Sequence, residues 1–285
     1  MDLETPNTVA PLAISCRIHM ESPRTTEINH VVISAHEKYI DGWGDRLRYG
    51  VEDDTGRFRK YVQAFRDFPR ARYWDLPPSE EAYWMAHGGA SKEADSPFLS
   101  YCALPSSKHQ NTSSTIELNW NPSVWTRNYD ELVQYVAEIV RDQPIAQGYV
   151  SHGFSQVNRN HAHHAKWAAA MRFHGIDLDE RIVYIHATRG LKSPAWVTIV
   201  GDRFLEKLGG RTALKFRSSD IDVLELGRAV LIRAGESPTL GDQNAGDRTP
   251  LLREVAEVLK PARFYGHIPV PGPFMEWYAR FDQPA

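Results

Sequence analysis

The stretch NRNHAHHAKW, residues 158–167, sets His161, His163 and His164 within four positions. Imidazole is a common metal ligand and titrates near neutral pH, so three so close together make a metal centre the first chemistry to test. On a helix, positions 161 and 164 share a face, whereas 163 points about 100° away from 164. At most two of the three can reach one ion. A catalytic zinc usually takes three protein ligands, so a metal-dependent hydrolase built on His161, His163 and His164 needs His174, His186 or a carboxylate from elsewhere. The simpler alternative is a partly exposed helix start whose imidazoles meet water or a partner.

Other motifs point away from catalysis. HEKYI, starting at His36, opens like a zinc-protease helix, but Ile40 stands where the second histidine is required. In GYVSHG the glycine lies three residues before Ser151 rather than two, and Ser151 and His152 face opposite sides of a strand. Neither a G-x-G-x-x-G nor a G-x-x-x-x-G-K-[ST] loop occurs, which removes the two commonest phosphate cradles. The acidic pairs Asp53/Asp54, Asp177/Asp179 and Asp220/Asp222 read as solvated turns. Cys16 and Cys102 are far apart and outside any C-x-x-C pair, as expected of reduced thiols in a cytosol.

The elements that position these residues are legible from period and punctuation. Leu12 to Ile18 reads as a first strand, followed by a helix behind Thr25 and Thr26 that runs to about Asp41 and stops near Gly42. Residues 44–78, rich in Arg and aromatics, read as an exposed strand-and-loop region. Phe98 to Pro105 and Ser114 to Trp120 read as antiparallel neighbours. Asn128 caps a helix through Val140, with Glu131 three residues on; a strand at about Gln147 to Ser155 and a short helix through the histidines follow. Ala195 to Gly201 is a buried strand, Asp202 the N-cap of a two-turn helix ended by Gly209, and IDVLELGRAVLIRAG a hairpin broken at Gly227. Thr249-Pro250 starts a last helix, with Pro261 beyond its end. Helices interspersed with hairpin-like strands predict an α+β fold, one domain over residues 1–285, with a mixed and largely antiparallel sheet.

Composition bounds the partners. The 285 residues carry 33 Lys+Arg against 36 Asp+Glu, a formal charge of −3, which argues against a generic surface for nucleic acid or an anionic membrane. No apolar run reaches the ~20 residues of a spanning helix, and the amino terminus lacks a secretory leader pattern, so the protein is expected in the cytoplasm. No cofactor is expected.

Longer word order carries a resemblance. HATRGLKSPAWVTIVGDRFLEKLGG (186–210), AVLIRAGESPTLGDQNAGD (229–247), LREVAEVLKPARF (252–264) and FMEWYARFD (274–282) follow in order the pattern of the type VI immunity family. HEKYIDGWGDRLRYG, HGGASKEADSPFLSY and the helix before GYVSHGF resemble its amino-terminal blocks more loosely, so the likeness spans about 28–282. It implies a cytoplasmic immunity protein that binds and neutralises a cognate type VI secretion toxin, first of all a restriction-endonuclease-fold DNase, as monomer or homodimer. It brings no catalytic motif. A nuclease groove is basic, so carboxylate loops would steer the encounter. The expected toxin contacts are Asp53, Asp54, Asp177, Asp179, Glu180, Asp242 and Asp247, with His163 and His164 beside them.

Overall fold

Alternation in one strand organises the molecule. In β2 (Thr8–Met20), Ile14, Cys16, Ile18 and Met20 point to one side and Ser15, Arg17 and His19 to the other, and all seven are buried. A strand buried on both faces belongs in the middle of a sheet with cover on each side. The computed structural model describes residues 2–5, 8–51, 59–61, 63–89, 97–103, 113–126, 128–155, 163–178, 187–264 and 274–282.

Besides β2, the strands are β1 (Asp2–Thr5), β3 (Tyr49–Val51), β4 (Arg59–Lys60), β5 (Ala82–His87), β6 (Phe98–Ala103), β7 (Thr115–Trp120), β8 (Ile145–Phe154), β9 (Val197–Gly201), β10 (Ile221–Glu225) and β11 (Ala229–Ala234). They lie in the order β10-β11-β9-β8-β2-β7-β6-β5-β3-β4, with β1 folded back on β2. Every strand pairing is antiparallel, and the parallel contacts are single bridges, His152 with Ile176 and Leu191 with Arg263. The expected α+β class with a largely antiparallel sheet is what the chain adopts.

Helices α1 (Thr26–Trp43) and α3 (Tyr129–Val140) cover the face holding Ile14, Cys16 and Ile18. Their capping is local: Thr25 Oγ1 accepts the Ile28 N–H at 3.1 Å, and Asn128 Oδ1 accepts the Glu131 N–H at 3.2 Å. Between them Tyr39, Trp43, Trp120, Trp125 and Tyr135 pack ring on ring, with centroids 5.1–5.9 Å apart. Each such side chain withdrawn from water contributes about 1.5–3 kcal/mol.

The opposite face is covered by α4 (His163–Arg172), α5 (Asp202–Leu208), α6 (Pro250–Leu259) and α7 (Phe274–Tyr278). Phe204, Leu205, Val255 and Leu259 pack there on Val200, Val230 and Ile232. Between β10 and β11 the chain turns at Gly227 with φ +70, a left-handed conformation that glycine adopts at little cost.

Three features differ from expectation. α1 continues to Trp43 and is capped by Gly44, because Tyr39 and Ile40 still face the core. Residues 44–78 include α2 (Gln63–Tyr73), an Arg-rich helix that holds Pro69 within it. Asp202 is the first helical residue of α5 and Gly201 occupies the cap. Of the histidine helix the described part is His163–Arg172, and His161 lies outside the described residues.

Candidate functional site

Three acidic stretches are predicted to face a partner, and one of them is wholly described. Asp53, Asp54, Asp179 and Glu180 lie outside the described residues, as does His161. His163 and His164 are the first two residues of α4. Among the described residues no group of three or more His, Cys, Asp or Glu is arranged to hold a metal ion.

The segment from Gly235 to Thr249 is a loop built from its own polar groups. Its carbonyls at Leu240 and Gly241 accept the N–H groups of Gly175 and His174 at 2.9 and 3.0 Å, clamping it to the turn after α4. Gly175 is required for that approach, since a Cβ there would stand 1.9 Å from Thr239 O. Asp242 receives the Arg172 guanidinium as a fork, Nε to Oδ1 at 2.9 Å and Nη2 to Oδ2 at 2.7 Å, and also accepts the Asn244 N–H at 3.0 Å. The Arg172 bonds hold the Asp242 carboxyl below the usual carboxylate range.

Asp247 closes the other end. Its Oδ2 accepts the Thr239 hydroxyl at 2.9 Å and its Oδ1 the Thr249 N–H at 2.8 Å. That bond helps to keep Thr249 at φ 48, a left-handed conformation costly for a β-branched residue. Gln243 Nε2 spans the loop, donating to Gly241 O at 3.1 Å and Asp247 O at 2.6 Å. Asp242 and Asp247 are thus partly buried latches, while Asn244, Ala245, Gly246 and Arg248 form the exposed tip. A tip already fixed in shape loses little entropy on meeting a partner.

Asp177 is not on a solvated turn. It is 6% exposed, and its carboxylate sits between the Lys192 ammonium and Arg17 Nη1, the latter at 3.5 Å. Arg17 Nη2 in turn donates to Glu117 Oε1 at 3.1 Å, which also accepts Asn119 Nδ2 at 2.9 Å. Burial lowers the Lys192 pKa, opposed by the charge of Asp177. This chain of charges lies along the polar face of β2 and β7 and accounts for the dry Arg17, while His19 on the same face is met by Thr115 Oγ1 at 2.9 Å.

No nucleophile and base converge in these places. Ser151 Oγ donates to Gly175 O at 2.7 Å, and His152 Nε2 lies 3.2 Å from Pro238 O on the other side of the strand, with burial pushing its pKa down to about 4. His36 is buried in α1 with its ring edge-on to Trp84 at 5.4 Å. The residues that sequence reasoning missed are the latch partners Arg172, Thr239 and Gln243; the Asp-x-Asn spacing at 242–244 was the available signal, being that of a side-chain-capped turn.

The fold is shared with a Pseudomonas aeruginosa T6SS protein, PA0821, at a TM-score of 0.82 and 15% identity, covering 99% of this chain and 85% of that one. No curated protein matches the chain. The model of the TsiV family, described as type VI immunity for VRR-NUC, matches residues 31–281, which takes in the latched loop and, of the buried ionic chain, Glu117, Asp177 and Lys192 but not Arg17. The chain belongs to the TsiV family of type VI immunity proteins.

Proposed function

We propose that this protein binds a VRR-NUC nuclease toxin directly, one chain to one toxin, and keeps DNA from the toxin's catalytic centre. The observation that carries this reading is the family match over 31–281, which leaves little of the chain for another purpose. Binding without chemistry also accords with a loop whose carboxylates hold its own shape and whose tip is exposed. The protein acts in the cytoplasm, where an incoming nuclease would meet the chromosome.

A stable neutralising complex needs an interface of roughly 1,200–2,000 Å² with a few buried anchors. The loop tip at Asn244, Ala245 and Arg248 supplies a pre-ordered part of such a surface, and His163 and His164 stand at the start of the adjoining helix. Asp53, Asp54, Asp179 and Glu180 would add carboxylates that favour a basic nuclease groove. Co-expression with a cognate VRR-NUC toxin should restore growth and give a complex that co-purifies in equal amounts. Growth arrest despite full expression, with no complex recovered, would remove the proposal.

A further inference from the structure

The sheet ends in an open edge at β10. Gly235 N–H donates to Asp220 O and Leu226 N–H to Ala229 O, both at 2.9 Å, so the even-numbered residues of this strand turn their backbone groups inward to β11. Ile221, Val223 and Glu225 therefore turn theirs outward. Among the described residues nothing pairs with that side of the strand. Val223 is 43% exposed, and Asp222 and Glu225 flanking it are exposed as well.

Isolated edge strands are usually blunted by charged side chains, above all lysine, by proline or by a bulge, because an open row of N–H and C=O groups recruits other strands. β10 has no lysine, proline or bulge, and its register with β11 runs unbroken from Ile221 to Glu225; its charges repel acidic strands and admit cationic ones. The edge is acidic instead. Beside it a groove of about 610 Å³ is lined by Asn128, Asp130, Asp222, Glu236 and Ser237, and the cation within it, Arg233, is already held by Asp130 at 2.5 Å. Asp222 stands opposite Arg233 in the ladder, and among the described residues neither Asp222 nor Glu225 makes an ion pair.

From this the geometry points to β10 as the docking strand: its outer edge takes up an extended, lysine- or arginine-bearing segment of the toxin as an added strand. The inference rests on the toxin-binding reading above. The open edge supplies main-chain hydrogen bonds from Ile221, Val223 and Glu225, while Asp222, Glu236 and Glu225 select the cationic side chains. A second copy fits less well, because β10 against β10 brings the same carboxylates of both chains to one seam. The opposite end of the sheet, β4, has two residues and is too short to complement it.

The test uses the 285-residue chain and a catalytically inactive form of its cognate VRR-NUC toxin. Val223→Pro removes an outward N–H without touching the ladder to β11, and Asp222→Lys with Glu225→Lys reverses the charge. Both variants should keep the wild-type melting temperature and weaken toxin binding at least about tenfold. In wild-type protein the amides of Val223 and Glu225 should become protected from hydrogen exchange only in the complex, a readout that stands even if a variant fails to fold. Wild-type binding with unchanged exchange at these amides and variant affinities within about twofold would overturn the edge assignment while leaving the immunity reading intact. Failure of the wild type to bind the toxin would overturn both. Protection of these amides by self-association alone, without toxin, would assign the edge to a second copy and overturn the proposal.

Discussion

Asp177 and Lys192 form an ion pair whose side chains are only 7% and 4% exposed, with Arg17 3.5 Å from the carboxylate's other oxygen. Charges are expensive to bury unless each is matched, so this pair ties the turn after α4 to the segment before β9 through the polar face of β2. Removing one member leaves the other charged in a dry site.

Lys192→Met should therefore destabilise the fold by about 3–5 kcal/mol, since Asp177 would keep only the longer contact to Arg17. Urea unfolding of wild type and variant measures it. An unchanged midpoint would mean that the pair is hydrated.

Acid should weaken the fold through its buried histidines. Burial pushes His36 and His152 down from 6.5 to about 4, so between those values the unfolded chain binds protons that the folded chain refuses. The stability they contribute is full well above pH 6.5 and is lost as pH falls toward 4, by about 2 kcal/mol per histidine once pH 5 is reached. Denaturation midpoints across that range should slope downward with falling pH, and His36→Gln should flatten the slope. A flat wild-type profile contradicts the assignment.

The latched loop depends on one close approach. Gly175→Ala would drive a Cβ to 1.9 Å from Thr239 O and force the loop off α4, at about 1–3 kcal/mol. Amide exchange in residues 239–249 should accelerate more than in β2. Uniform acceleration over the whole chain would instead place the loop inside the global unfolding unit.

Much of the architecture was legible because its signals are local. Thr25, Asn128 and Pro250 announce three helix starts, and each helix begins within a residue of them. The hairpin around Gly227 and the β6–β7 pair follow from alternation and turn residues. What escaped is non-local. α2 was hidden by Pro69 and its arginines, whose charges are met across space by Asp41 and Glu37 of α1. Asp177 looked like a turn residue because its partners, Lys192 and Arg17, are 15 and 160 positions away in sequence. The strand holding Asp222 is legible from alternation, but that it is an open edge depends on the order of the whole sheet.

Charge should govern how quickly the partners meet. If exposed carboxylates of this chain meet a cationic nuclease surface, raising salt from about 50 to 500 mM should slow association at least about tenfold and change dissociation much less. Stopped-flow or surface binding at several ionic strengths separates the two rates. A salt-independent association rate would show that apolar contacts dominate the encounter.

The central claim is direct, stoichiometric neutralisation, and a titration of nuclease activity tests it most directly. With active toxin held well above the dissociation constant, DNA cleavage should fall in a straight line as this protein is added and end at one chain per toxin. Cleavage that persists beyond an equal amount, or is abolished by a small fraction of one chain per toxin, would contradict it.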